Sequence, residues 1–312
     1  MKKMNYIRIV TLGVFTLMLN QTVTAQFDPL YTQYMFNELV INPAYAGSRE
    51  CLSGTALYRQ QWVGLDGAPT TITGSFHAPL MQQKLGAGLT FTNDKIGVSQ
   101  RTSVTANGAY RIKINAATLS FGLQLGLVSL SENLASLNLT EDQQFAANTG
   151  KRTAPNFGFG MFYATSNWYA GLSIPRMLQN RLDVSSGSTA VQNKMNIANF
   201  HYMITGGAVL NVTETIKIRP NVMMKVVSGA PIQADINANA LFNDFIWAGL
   251  GLRSGDAINM MVGAYLTKQL RLGYAYDYSL SSLQDYNSGS HEIMLGYDLN
   301  YSKDKVATPR YF

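Results

Sequence analysis

The sequence predicts an all-β protein. The expected form is a transmembrane outer-membrane β-barrel of about 14 antiparallel strands, with a short N-terminal helical segment on the periplasmic side. Three observations lead there. Apolar and polar residues alternate with period two through segment after segment, the signature of strands with unlike faces. The segments run about 9–12 residues, the length a tilted strand needs to cross a bilayer. The connections fall into two classes, tight and long, that alternate along the chain.

The first 25 residues read as a secretory signal. Lys2, Lys3 and Arg8 form a basic start, Ile9 to Leu19 an apolar stretch, and Val23-Thr24-Ala25 the small residues of a cleavage site. Loss of that segment reduces the formal charge from +6 by 3. No cluster of Lys and Arg remains to follow a phosphate backbone, so nucleic acid is not an expected partner. Charged residues make up only 13% of the chain, low for a soluble domain and in keeping with a lipid-facing surface. Cys51, the single cysteine, excludes an intramolecular disulfide and reads as a small, semi-buried side chain.

Residues 26–50, beginning "QFDPLYTQYMFNELVINPAYAG", lack the two-residue period. Asp28-Pro29 suits an N-cap and first helical position. Leu30, Tyr31, Tyr34, Met35 and Leu39 or Val40 then share one face of a short helix, and Asn42-Pro43 ends it. An even strand count places this piece at the periplasmic mouth. There it either plugs the barrel or presents Tyr31, Tyr34 and Phe36 to a partner, with Asn42, Pro43 and Tyr45 as further candidate contacts.

The barrel is expected over residues 51–302, with strands centred near 55, 74, 89, 108, 123, 160, 172, 206, 221, 237, 250, 262, 275 and 296. In "LRLGYAYDYSL", Leu270, Leu272, Tyr274, Tyr276 and Tyr278 face lipid, while Arg271, Gly273, Ala275 and Asp277 face a wet lumen. Connections after even-numbered strands are tight, as at 82–84, 115–117 and 243–244. Those at 60–69, 93–100, 131–154, 178–199 and 281–290 are longer. Short periplasmic turns and long outer loops put both termini, including the tail 303–312, in the periplasm. "TEDQQF" in the loop after the fifth strand could form a helical turn.

Chemistry is sparse. The three histidines have no nucleophile or orienting acid at a recognisable spacing, so no catalytic residue is assigned and the protein is expected not to be an enzyme. No His/Cys pair has zinc spacing, no acidic loop is of calcium type, and no cofactor is expected. The glycines at 158–160 and 249–255 alternate inside strands, which removes a phosphate-loop reading. The polar set of interest is on the inward phase: Arg111, Lys113, Lys217, Arg219, Lys225, Asp235, Arg253, Arg271, Asp277 and Asp298. Such charges either select solutes in a channel or pair across a closed lumen. Pairing is favoured because both signs are present.

Four stretches carry a family resemblance: "QFDPLYTQYMFNELVINPAYAGS", "ALYRQQWVGLDGAPTTITGSFHAPL", "GSHEIMLGYDL" and the terminal "ATPRYF". Together they resemble the PorP/SprF family of type IX secretion system membrane proteins of Bacteroidota. The resemblance implies an integral outer-membrane barrel serving protein export or surface attachment of cargo such as gliding adhesins. It implies partners: a periplasmic secretion ring, an OmpA-like peptidoglycan-binding protein, and a secreted adhesin or other cargo. A mixed-charge lumen and polar loops suit a docking platform. The other reading is a diffusion channel or a transporter of small hydrophobic ligands.

Overall fold

The computed structural model describes residues 29–134, 150–182, 191–195, 197, 200–228 and 230–299. The signal segment, Gln26 to Asp28, the "TEDQQF" turn and the tail 303–312 lie outside the described residues.

Fourteen strands build the wall: β1 (Leu52–Gln60), β2 (Thr70–Leu80), β3 (Leu85–Ile96), β4 (Ser99–Ile114), β5 (Ala117–Glu132), β6 (Arg152–Ala164), β7 (Trp168–Ile174), β8 (Tyr202–Ala208), β9 (Ile216–Val226), β10 (Gln233–Phe242), β11 (Ile246–Arg253), β12 (Ala257–Tyr265), β13 (Leu270–Ser279) and β14 (Ser290–Leu299). Each pairs antiparallel with the next, and β1 closes on β14 from Leu52↔Leu299 to Gln60↔His291. Leu210–Asn211 continues β8 along β9. The ring leaves no free edge, so the wall's backbone groups bond within it, as hydrocarbon requires. A small hairpin, Gln179–Leu182 with Val191–Lys194, forms a separate two-stranded sheet in the connection after β7.

The alternation sets the faces. Leu123, Leu125 and Leu127 on β5 point outward at about three-fifths exposure, and Ile293, Leu295 and Tyr297 on β14 point outward at about half. Gly122 and Gln124, and Glu292 and Met294, point in. Leu123 sits near the middle of the part of its strand that crosses the membrane, between Gly108 and Phe159. Leu123→Arg is therefore expected to cost about 2–4 kcal/mol, the value for a lipid-facing cation near the bilayer midplane. Denaturant unfolding in lipid measures it.

One connection differs from expectation. The stretch 93–100 is not a long loop, because β3 and β4 run on to a tight turn at Gly97-Val98, where Gly97 takes φ 56. Its polar composition resembles a loop, yet those side chains pair across strands. Asn93 Nδ2 donates to Thr102 Oγ1 at 2.7 Å, and Asp94 stands opposite Arg101. β4 and β5 reach 16 residues, more than a crossing needs, so they rise past the membrane at the end that carries the longer loops.

The N-terminal segment also departs from expectation. No single helix forms. Three separate 3-10 turns occur instead, Tyr34–Phe36, Glu38–Val40 and Pro43–Tyr45, with the backbone broken at Asn37 (φ −144, ψ 54). Nor does the segment rest at the periplasmic mouth. It threads the lumen from Tyr31, beside Thr73 near the long-loop end, to Arg49, beside Asp298 at the short-turn end. The reason is the surroundings. An amphipathic helix has one apolar face, but here almost every residue from Tyr31 to Gly47 is buried, because wall lies on all sides. Barrel side chains supply the partners that a helix would have supplied: Ser173 Oγ donates to the Ile41 carbonyl at 2.8 Å, and Ser75 Oγ to Asn37 Oδ1 at 2.6 Å.

The core of the protein is therefore inside the barrel. Tyr31, Tyr34, Met35, Phe36 and Ile41 pack on inward Leu57, Met203, Met223, Leu241, Trp247 and Met294. A second cluster joins Leu39, Ala44 and Tyr45 to Ala109, Phe162 and Tyr169.

Candidate functional site: the filled lumen

The segment seats itself through close backbone approach. A Cβ on Gly122 would collide with Pro43-Ala44, one on Gly86 with the Ala46 carbonyl, and one on Gly160 with Asn42. Absent side chains on β3, β5 and β6 thus form a groove for "NPAYAG". Asn42 organises that stretch. Its Oδ1 accepts from Ala44 N–H at 3.0 Å, Pro43 opens the turn, and its Nδ2 donates to the Met161 carbonyl at 2.9 Å. Gly47 follows at φ +74. Its N–H donates to His77 Nδ1 at 3.0 Å, and its carbonyl accepts from Arg111 Nη1 at 2.8 Å.

Polar contacts hold the middle. Glu38 accepts from the Tyr169 hydroxyl at 2.9 Å and from Thr205 Oγ1 at 3.2 Å. Asn237 Nδ2 donates to the Tyr34 hydroxyl at 3.2 Å. Phe36 lies 5.1 Å from Trp247, centroid to centroid, with the Arg219 guanidinium 5.3 Å from its own ring. Tyr45 meets His77 and Phe162 edge-on, at 5.2 and 5.3 Å.

Two layers of charge close the ends. Near the longer loops, Arg59 bridges Asp277 at 2.6 Å and Glu292 at 3.1 Å, while Arg253 bridges Asp235 at 3.0 Å and Asp277 at 3.3 Å. The lumenal chain enters this layer directly. Thr32 and Gln33 N–H donate to the two Glu292 oxygens at 2.9 and 2.8 Å, and Thr32 Oγ1 donates to Asp277 at 2.8 Å. At the short-turn end, Asp298 accepts from Arg49 and Arg271, both at 2.9 Å, and from Ser53 Oγ at 2.6 Å. Arg219, also buried, hydrogen-bonds Tyr265, which stands across the ladder from Arg271.

The candidate residues can now be placed. Tyr31, Tyr34, Phe36, Asn42, Pro43 and Tyr45 are all buried against the wall and present nothing to the periplasm. Asp235, Arg253, Asp277, Arg271 and Asp298 form ion pairs inside the lumen. Arg111 holds the segment's backbone. Lys225 lines a cavity of about 110 Å³ toward the long-loop end, with Tyr31, Thr90, Asp94 and Asn156. Lys217 pairs with Asp244 at 2.6 Å on the partly exposed short-turn rim, where Lys113 is exposed. Arg49, Arg59 and Glu292, central to both layers, are missing from the inward charges that alternation selects. The signal existed: Glu292 shares the phase of Asp298, and Arg59 that of Ser53 and Thr55. Inward Leu57 and Met294, which pack on the lumenal segment, disguised it.

Among the described residues no group of three His, Cys, Asp or Glu is placed to hold a metal ion. His291 lies on the outer face, 2.6 Å from the Tyr274 hydroxyl.

Several solved barrels resemble the chain. The outer membrane protein Omp33 of Acinetobacter baumannii aligns at 7% identity over 80% of this chain and 96% of its own, with a TM-score of 0.45. A TodX deletion mutant, a monoaromatic hydrocarbon channel, aligns at 12% over 83% and 92%, with a TM-score of 0.43. Outer membrane phospholipase A of Escherichia coli aligns at 11% over 79% and 96%, with a TM-score of 0.37. No curated protein matches the chain. The family model of the type IX secretion system membrane protein PorP/SprF matches residues 23–297, most of the length and all fourteen strands but the end of the last. A closed barrel with a lipid-facing exterior, matched by that model from before its lumenal segment to its final strand, belongs to the PorP/SprF family of type IX secretion system membrane proteins and is an integral protein of the outer membrane.

Proposed function

We propose that this barrel is a docking platform of the type IX secretion system, supporting export or surface attachment of particular cargo proteins, such as adhesins, while another component moves them across the membrane. The single observation behind this reading is the filled lumen: a folded cargo has no passage through a barrel whose interior is packed from Tyr31 to Arg49. Its partners on this reading are the periplasmic secretion ring, an OmpA-like peptidoglycan-binding protein and the cargo. It works by binding, without a catalytic group.

A diffusion channel needs a continuous wet path, and paired charges across the lumen speak against one. The test is deletion of the gene followed by a survey of secreted and surface proteins. The expected result is loss of specific cargo from the surface with other type IX substrates still exported. Loss of every substrate would replace the cargo-specific role with a core one.

A further inference from the structure

Among the described residues, the short-turn end of the lumen holds more positive charge than is bridged there by carboxylates. Arg49, Arg219 and Arg271 are 3, 3 and 1% exposed. Among the described residues Asp298 is the one carboxylate that bridges any of them. The four side chains come from separate places: the end of the lumenal segment, β9, β13 and β14. They nevertheless form one cluster. Arg49 and Arg271 share Asp298, Tyr265 stands directly across the ladder from Arg271, and Arg219 hydrogen-bonds the Tyr265 hydroxyl. Among the described residues, three buried cations face one bridging carboxylate. A buried charge without a counter-charge is among the costliest arrangements in a protein.

Five donors of the same cluster have no acceptor among the described residues: Arg219 Nε and Nη2, Arg49 Nε, Arg271 Nε and the Tyr45 hydroxyl. The Arg219 pair is the informative one. Nε and Nη2 form the edge of a guanidinium that bridges two oxygens of a phosphate or carboxylate. The Phe36 ring lies 5.3 Å from this guanidinium and helps to fix its plane. The layer at the other end of the lumen is built differently, with Arg59 and Arg253 set among Asp235, Asp277 and Glu292.

We propose that Tyr45, Arg49, Arg219 and Arg271 form a binding site for one small oxyanion of the phosphate or sulfate type, held on the Nε–Nη2 edge of Arg219. Enclosure sets the size of the ligand. Tyr265 and Asp298 are the partly exposed members of the cluster and the arginines beside them are buried, which suits a compact ion rather than a peptide or a lipid headgroup on its acyl chains. The anion ties the Arg49 end of the lumenal segment to β9 and β13, and so acts as a removable pin for that segment. This inference stands independently of the secretion role proposed above.

Thermal unfolding of the full-length protein in detergent tests it, starting in gluconate buffer and adding sodium phosphate at constant ionic strength. The midpoint is expected to rise by about 3 °C for each tenfold increase in phosphate above its dissociation constant. Calorimetric titration should show one site. Arg219→Met abolishes both effects. Asp298→Asn removes the competing carboxylate, so it lowers the midpoint without phosphate yet tightens phosphate binding about tenfold. A merely structural Asp298 would lower the midpoint and leave the anion response unchanged. The proposal is overturned by a wild-type midpoint indifferent to phosphate, or by equal responses in the wild type and Arg219→Met. Should Arg219→Met fail to fold, the wild-type titration and Asp298→Asn decide the matter between them.

Discussion

The intact barrel is expected to be silent in planar bilayers, and deletion of residues 29–46 to make it conduct in discrete steps. Fourteen strands lie between the eight whose side chains fill the interior and the sixteen or more that leave an aqueous channel. What occupies the difference here is the lumenal segment, including Tyr34, Phe36, Leu39 and Tyr45, all nearly inaccessible. The wall does not depend on it for closure, since every strand pairs with its neighbours and β1 with β14. Removal leaves a ring lined by Thr, Asn, Arg and Asp side chains that water wets. Discrete steps from the intact chain would place a path beside the segment and weaken the docking reading. A folded but silent deletion variant would mean that the remaining wall side chains collapse across the lumen. Retained or lost capture of periplasmic partners by the same variant separates sealing from docking.

The wall was legible from the sequence because a barrel strand meets two unlike solvents. Lipid on one side and lumen on the other force the alternation seen in Leu270 to Ser279, and the strand centres near 123, 221 and 275 fall inside β5, β9 and β13. Positions where that contrast fails were harder to read. Leu57, Met203, Met223 and Met294 point inward yet are apolar, because the lumen is filled by Tyr31, Tyr34 and Phe36 rather than by water. Arg59 and Glu292 keep the inward phase, but these apolar neighbours hid it. Asn93 to Lys95 look like a loop by composition, but cross-strand partners on β4 carry the ladder onward. The lumenal segment itself has no period to read. Its conformation is set by what surrounds it: glycines on β3, β5 and β6 and polar groups around the whole circumference. None of these is a neighbour in sequence.

Glu292→Ala is expected to be the most damaging single substitution in the lumen, costing about 3–5 kcal/mol. Glu292 is fully buried and meets three groups at once: Arg59 Nη1 at 3.1 Å and the N–H groups of Thr32 and Gln33. Truncation strands one side of a guanidinium and two backbone donors in a space that excludes water. Asp244→Ala, at the partly exposed pair with Lys217, should cost no more than about 1 kcal/mol. The decisive comparison is the double variant Arg59→Met with Glu292→Met. It removes the charge together with its partner; Asp277 loses its 2.6 Å contact with Arg59 but keeps Arg253 at 3.3 Å, so the cost of the two stranded backbone donors, about 1–3 kcal/mol, remains together with that of the weakened Asp277 pairing. Denaturant unfolding of the four proteins measures these differences. Alkylation of a cysteine placed at Thr32 reports whether the upper end of the segment has come loose, an effect expected in Glu292→Ala and weaker in the double variant. If Glu292→Ala proves as mild as Asp244→Ala, the charge layer is incidental, and the glycine groove alone retains the segment.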